Sequence, residues 1–470
     1  MIRRKFLYAL GVASPFLPTP SFGSFFSRTE EAGIVIVGAG GAGLAAAARA
    51  SELYKGKIIV LEKQSKIGGN TLISGGYLGV VDPKRQTPLH IHDSEEKHFQ
   101  DIYIKGDCQG DPELIRTLVR NAPRMLKWIE SQGVQFQNAV IEIYGSHFPR
   151  CHIPSLPNGL GYINVLSEKA MERGAEIRKN CQLTALIRDK TGRISGLQYI
   201  DANNKPVNLR IKDTIILAGG GFGSNPALVE KYDSRLSNLT HNTGPGSTGE
   251  LLLAAEDVGC KLIQMENIQC LPGVHPTGKI RVRFHNDVSR FILVNSEGNR
   301  FTDEGARRDL LKEAVLAQPG KMCFSVIDND GFESYDLLMR RDAIRGIETG
   351  DAFKGETLDE LAFKMGVPGN NLKNAVNAYN KTIEGTVNHP IIQPPFWAAR
   401  TSMSIHYTMG GLKINSRAQC LDAQGEVIPG LYAAGECTGG IHGNNRIGGN
   451  GICDALTYGM IAAESAASTN

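Results

Sequence analysis

The chain of 470 residues lacks several features that would each have pointed to a function. Its nine cysteines, at 108, 151, 181, 260, 270, 323, 420, 437 and 453, form no C-x-x-C pair. That argues against a zinc ribbon and a thioredoxin-type site, and the missing C-x-x-C-H argues against covalently attached c-type haem. An exported protein could form disulfides, but an odd cysteine count leaves at least one thiol unpaired, and no particular pairing is assigned. Charge of one sign is also scarce: 51 Lys and Arg against 48 Asp and Glu leave a net charge of +3. A protein that grips a phosphate backbone needs a concentrated basic face, so nucleic acid is not an expected partner. No segment reaches the roughly 18 uninterrupted apolar residues of a membrane span, and no repeat or low-complexity stretch occurs. With 41% hydrophobic residues the chain can bury a large core, and its length suits about two to four packed units.

Glycine is what the chain has in excess, 54 residues, and its clustering is informative. Residues 33 to 50 carry an apolar run of strand length into Gly38-Ala-Gly40-Gly41-Ala-Gly43 and on into an alanine-rich stretch, and Lys57-Ile-Ile-Val-Leu-Glu62-Lys63 follows. This is a βαβ unit with a G-x-G-x-x-G turn and a terminal acid. Gly38 makes the tight turn, Gly40 admits backbone N–H groups to a pyrophosphate, Gly43 lets helix and strand pack closely, and Glu62 accepts from a ribose. A second glycine-rich stretch, Gly68-Gly69-Asn70-Thr71 with Ser74-Gly75-Gly76, follows directly, where a flavin would need close main-chain contact. It favours FAD over NAD. Two more strands end in glycine far along the chain, at Ala218-Gly219-Gly220-Gly221 and at Ala434-Gly435-Glu436.

With the A-G-G-G-F-G segment and Thr438-Gly-Gly-Ile-His-Gly-Asn-Asn-Arg446-Ile-Gly-Gly449-Asn450-Gly, the sequence resembles the FAD-containing flavoprotein of fumarate reductase and succinate dehydrogenase. The likeness runs from about residue 31 to the end and is greatest to the flavocytochrome c branch, which includes urocanate and acrylate-type reductases. It implies a Rossmann-like α/β domain for non-covalent FAD with an inserted α+β capping domain. The expected division is 31–265 and 408–470 for the FAD domain and 266–407 for the cap. The cofactor set is then Gly38, Gly40, Gly41, Gly43, Glu62, Lys63, Gly69, Asn70, Thr71, Gly75, Gly76, Ala218, Gly219, Gly220, Gly410, Gly435, Glu436, Arg446, Gly449 and Asn450. No metal is expected. With no haem motif, electrons would come from a separate donor, a c-type cytochrome or a quinol-linked module.

The same resemblance implies the chemistry. His406, in the H-Y-T-M-G-G element, and Arg446 would hold a substrate carboxylate, His275, in H-P-T-G, would contact its far end, and Arg308 would deliver the proton. Hydride from flavin N5 would go to the β-carbon of an α,β-unsaturated acid, so charge builds where Arg446 and His406 can stabilise it. The chain departs from the family after His275. In place of a T-E-x-x-R-G-x-G segment it has Arg281-Val-Arg283-Phe284-His285-Asn286-Asp287-Val-Ser-Arg290. That leaves Asp287, His285 or Arg283 as replacements for the proton relay, Arg283 and Phe284 as far-end contacts, and Tyr77 and Phe284 as aromatic walls. Acrylate-like, aryl-acrylate and imidazole-acrylate acids stand level with fumarate as substrates. A flavin dehydrogenase running the opposite way, 3-ketosteroid dehydrogenase-like or succinate dehydrogenase-like, is the alternative.

At the N-terminus Met1-Ile2-Arg3-Arg4-Lys5-Phe6-Leu7 and the short apolar stretch to residue 18 resemble a twin-arginine export signal over residues 1–27, implying a periplasmic enzyme of anaerobic respiration. Helical spacing is expected over 111–133, a hairpin around Asn203-Asn204, and cap helices at Leu358–Phe363 and Leu372–Tyr379. His90, His92, Asp93 and His98 read as a solvated surface, and Arg307 as one of a surface pair.

Overall fold

The computed structural model describes residues 28–146 and 148–468, so the export signal expected at 1–27 lies outside the described residues. Its first strand, Arg28–Val37, sits in the middle of a mainly parallel sheet. Ile58–Leu61 pairs on one side, with Glu176–Arg178 beyond it, and Pro206–Leu217 pairs on the other, with Val427–Ala433 beyond that. Parallel strands covered on both faces become continuously apolar, and Ile34, Val35, Ile36, Ile215 and Ile216 are fully buried. Because Val37, Leu217 and Ala433 end at the same edge, the glycines at 38, 219 and 435 meet there although they lie up to 397 residues apart in sequence.

Helix Gly41–Leu53 packs on this sheet and against the last helix, Asn450–Ala467. Small residues make the close approach possible: a Cβ at Gly459 would lie 2.4 Å from the Ala42 carbonyl oxygen. The stretch expected to be helical over 111–133 forms a helix at Pro112–Gln132. Asp111 caps it by accepting from the N–H groups of Glu113 and Leu114, and Gly133 at φ 117° ends it. The expected hairpin forms between Ile194–Ile200 and Pro206–Leu217, with Asn204 in its turn at φ 58°.

The cap is organised by one long strand, Phe396–Thr408. It pairs antiparallel with Ile268–Val274, Met322–Ile327 and Ala352–Gly355, and parallel with Thr240–His241, a segment that sequence assigns to the FAD domain. Helices Leu358–Met365 and Gly369–Thr382 cover a second core built on Ile292, Val294, Val326 and Ala398. At its far end the long strand delivers His406 and Tyr407 to the glycine-lined edge of the central sheet.

One expectation is corrected. His90 and His92 are exposed, but His98 is buried with Nε2 3.2 Å from Asn450 Oδ1, and the Asp93 side chain is fully enclosed. The amphipathic helix Glu95–Lys105 turns His98, Phe99 and Ile102 inward and leaves its acidic first turn in water. Beneath it Arg150, 1% exposed, pairs with Asp93 at 2.8 Å and Asp101 at 2.7 Å. Removing a buried cation strands the carboxylates it neutralised, so Arg150→Met should cost about 3–5 kcal/mol, read as a lower urea midpoint; an unchanged midpoint would show that Asp93 and Asp101 do not depend on it.

Candidate active site

A cavity of about 1340 Å³ opens where the sheet edge meets the cap. Small-molecule sites commonly run to about 1,000 Å³, so this one has room for a dinucleotide and a substrate together. Sixteen of the twenty residues expected at the cofactor line it: Gly38, Gly40, Gly41, Glu62, Lys63, Gly69, Asn70, Thr71, Gly75, Gly76, Ala218, Gly219, Gly220, Glu436, Arg446 and Gly449. Gly43, Gly410, Gly435 and Asn450 stand behind the wall. A Cβ at Gly43 would come within 1.8 Å of the Gly38 carbonyl oxygen, and one at Gly410 within 2.1 Å of the Gln264 carbonyl oxygen, so these glycines permit backbone packing. Gly435 adopts φ 75° beside Ala42, and Asn450 is held by His98.

The floor is a cradle free of side chains. At Gly40 a Cβ would point into open space, its nearest neighbour the Gly68 carbonyl oxygen at 3.9 Å, and at Gly220 the nearest atom is Ser247 Oγ at 3.9 Å. Gly40 starts helix Gly41–Leu53 with no side chain of its own to cap it; Gly41 N–H donates to Thr71 Oγ1 at 3.2 Å, and the positive end of the helix faces the cavity, where it favours an anion. Glu62 is fixed by the N–H groups of Ala39 (2.9 Å) and Gln64 (2.8 Å), and Lys63 pairs with Glu250. Asn70 ties two walls together, donating from Nδ2 to Glu436 Oε2 (2.7 Å) and accepting from Gly244 N (2.6 Å). Burial pushes the Glu436 carboxyl up, opposed by that bond and by the N–H of Thr408 at 3.2 Å.

The cap end of the cavity is cationic. Arg308 and Arg446 are each 6% exposed, and Gln269, which sequence reading did not single out, joins them. Its Oε1 accepts from Arg446 Nη2 at 2.9 Å and Arg308 Nη1 at 3.2 Å. Its own amide donates to the Arg446 carbonyl (2.9 Å), and this holds the oxygen toward the two cations. The Nε of each arginine is buried without an acceptor. Arg308 also donates to the Tyr144 carbonyl at 2.6 Å, and Arg446 lies 4.4 Å from the Tyr407 ring centre. Burial, then the charge of Arg446, bring the Arg308 guanidinium down to about 9. Burial, then Arg446, Arg308 and Arg281, hold His406 well below its usual value. His406 Nδ1 donates to Asn242 Oδ1 at 2.9 Å, which leaves Nε2 as its free ring nitrogen.

Three expected site residues stand elsewhere. The H-P-T-G turn closes on itself through Gly278 N to the His275 carbonyl (2.7 Å), and the His275 ring turns back to Thr277 Oγ1 at 2.9 Å, away from the cavity wall. Arg283 pairs with Asp342 at 3.2 Å, and Phe284 is 2% exposed in the core against Tyr335. Their neighbours Arg281 and His285 line the cavity, as does Tyr77. Arg307 pairs with Asp107 and Asp309. The alternation of side chains along this irregular segment could not be read without knowing which faces its turns present.

A family model described as an FAD binding domain matches residues 33–452. The chain belongs to this family. FAD is its cofactor, and it is an FAD-dependent oxidoreductase; the open glycine floor, the exposed helix N-terminus and the acid at Glu62 fit that cofactor. Among similar proteins, a urocanate reductase of Eggerthella lenta is 33% identical over 93% of this chain and 75% of its own length. A cytochrome-type fumarate reductase of Shewanella frigidimarina is 32% identical over 92% and 76%. An NADH:acrylate oxidoreductase of Vibrio harveyi is 31% identical over 93% of this chain, which spans 50% of that protein. The open form of a flavocytochrome c3 fumarate reductase superposes with a TM-score of 0.79 at 29% identity, covering 94% of this chain and 79% of the other. A 3-ketosteroid delta1-dehydrogenase from Sterolibacterium denitrificans, 20% identical, shares the fold with a TM-score of 0.82, covering 94% and 100%.

The two kinds of glycine should separate experimentally. Gly40→Ala should cost the apoprotein no more than about 1 kcal/mol yet weaken FAD retention, because its methyl group enters the cradle. Gly43→Ala should destabilise the apoprotein by about 1–3 kcal/mol or more, read as a lower urea midpoint, because its methyl group meets backbone. Urea titration and FAD release followed by fluorescence read both; equal effects of the two changes on stability would contradict the division.

Proposed function

We propose that this enzyme reduces the carbon–carbon double bond of an α,β-unsaturated carboxylate, fumarate or an acrylate-type acid such as methacrylate, an aryl-acrylate or urocanate. The observation that carries this reading is the cationic end of the cavity: Arg308, Arg446 and Arg281 line it, and among the described residues none of them reaches a carboxylate at ion-pair distance. A buried guanidinium without a counter-charge is costly. A carboxylate entering here relieves that cost, and the names of the relatives supply acids of this kind.

When bound and reduced, FAD supplies a hydride to the carbon β to the carboxylate. Arg446 and His406 hold the carboxylate, and as charge builds on it during the reaction their attraction strengthens, which lowers the barrier. His406 already donates from Nδ1 to Asn242, so Nε2 can donate to the acid once the ring takes up a proton, which the anion's own charge favours. Arg308 is placed to give a proton from its guanidinium to the adjoining carbon. An ordinary arginine is a poor acid because its affinity for the proton is too high. Burial and the facing charge of Arg446 lower that affinity, and Gln269 offers both cations a neutral oxygen, so it holds them close without restoring the missing negative charge.

The wider setting belongs to the same proposal. The arginine pair near the N-terminus supports export to the periplasm, and the electron donor in this reading is a c-type cytochrome or a quinol-linked module serving anaerobic respiration.

The protein reduced with dithionite or a viologen dye should be reoxidised by at least one of fumarate, methacrylate, cinnamate and urocanate under anaerobic conditions; no reoxidation by any of them would sink the proposal. Arg308→Ala and Arg308→Lys should lower kcat by about 100- to 10,000-fold with a much smaller change in binding. Unchanged turnover would remove Arg308 from the acid role. Since the acid must carry its proton, kcat/KM should fall as pH rises through about 9, whereas kcat should hold to higher pH because the bound carboxylate restores the charge on Arg308.

A further inference from the structure

The segment Arg281–Arg290 is fixed from both sides. The Asp351 carboxylate accepts from the N–H groups of Lys279 (2.9 Å) and Ile280 (3.0 Å), and the Tyr335 hydroxyl donates to the Phe284 carbonyl at 2.7 Å. With Arg283 drawn to Asp342 and Phe284 sunk in the core, the segment lines the cavity with Arg281 and His285 and, after them, Asn286 to Ser289. Arg281 Nε and both ring nitrogens of His285 are buried with no hydrogen-bond partner. Such groups are costly unless something completes them.

The acids of the cavity wall do not complete them. Glu62 is held by two backbone N–H groups, Glu250 by Lys63, and Glu436 by Asn70 and Thr408. Asp287 accepts from Ser289 N (3.0 Å) and Oγ (2.6 Å) and pairs with Arg290 at 3.3 Å, and Glu142 is exposed. Three guanidiniums therefore face the cavity with no carboxylate at ion-pair distance among the described residues; Glu436 and Asp454 act on Arg446 from farther off, and no acid acts on Arg281. One substrate carboxylate leaves two of them unpaired; two leave one, and Arg308 is the cation whose role is to give a proton.

We propose that Arg281 and His285 form a second acid-binding subsite, so that the preferred substrate is an unsaturated dicarboxylic acid held by Arg446 and His406 at one end and by Arg281 and His285 at the other. This rests on the reductase reading for the reaction but not for the binding. Arg281 offers a fixed guanidinium fork. His285 is uncharged, since burial and then Arg281 and Arg283 push it down to about 3, and it adds one ring N–H without adding charge.

The test compares diacids (fumarate, mesaconate, glutaconate) with monoacids (crotonate, methacrylate) and urocanate on the FAD-loaded enzyme, with calorimetric binding of the saturated diacid succinate alongside. Wild type should favour a diacid in kcat/KM. Arg281→Met should lower that value by about 100-fold, mainly through KM, and leave the best monoacid within about threefold; His285→Phe should act in the same direction more weakly. Arg281→Lys should recover part of the loss. Succinate should bind wild type and bind Arg281→Met at least about tenfold more weakly. The proposal is overturned if wild type prefers monoacids or urocanate, or if Arg281→Met lowers diacids and monoacids alike. Should no unsaturated acid reoxidise the flavin, the reductase reading falls, and succinate binding that depends on Arg281 would still support the subsite.

Discussion

The site is organised by guanidinium groups that the protein buries with no carboxylate at ion-pair distance among the described residues, Glu436 and Asp454 acting on Arg446 only from farther off. Arg308 and Arg446 share a single amide oxygen, that of Gln269, while of the wall acids Glu62, Glu250, Glu436 and Asp287 have partners of their own and Glu142 is exposed. Such an arrangement costs stability in the free protein, and the rest of the fold has to bear it. The bearing parts are visible. Strand Ile268–Val274, which carries Gln269, is paired along its length with Phe396–Thr408, which carries His406, while Arg446 sits in the tight glycine-rich turn before the last helix. Two strands of one sheet and the turn before the last helix thus hold like charges together, so the electrostatic field is in place before any acid arrives.

The cofactor end and the substrate end are built on different principles. At the sheet edge, side chains are withdrawn: glycines at 40, 69 and 220 leave space open toward the cavity, while Gly38 and Gly219 pack against Ala218 and Leu251. At the cap end, long side chains are brought in and left partly unsatisfied. The long strand ending at Thr408 joins the two, because the Thr408 N–H reaches Glu436, which also receives Asn70 from the second glycine loop. A change in cap position would therefore be felt at the cofactor wall through a short chain of hydrogen bonds.

Much of the cofactor end was legible in sequence because a glycine next to a strand end has few purposes. A parallel sheet also forces strand ends to one edge, so clusters at 38, 219 and 435 had to converge. Glycines at 43, 410 and 435 were harder to assign, since close backbone packing and close ligand approach call for the same residue; only the space beyond each Cα separates them. At the substrate end Arg308, His406 and Arg446 were reached through family motifs. His275, Arg283 and Phe284 were misplaced because side-chain direction in an irregular loop depends on anchors distant in sequence, here Asp351, Asp342 and Tyr335. Gln269 gave no signal: a glutamine in a strand carries no motif, and its importance comes from what stands opposite. His98 and Asp93 looked solvated because their neighbours are charged, yet a helix can bury one face among acidic residues.

The central claim is that the cationic end of the cavity is completed by the carboxylate of a substrate. A crystal structure of the FAD-loaded protein soaked with succinate tests it most directly. The account predicts one carboxylate against Arg446 and the His406 ring, the other toward Arg281 and His285, with Arg308 beside the carbon chain. Succinate bound outside this cavity, or the three guanidiniums found paired with carboxylates of the protein itself, would contradict it.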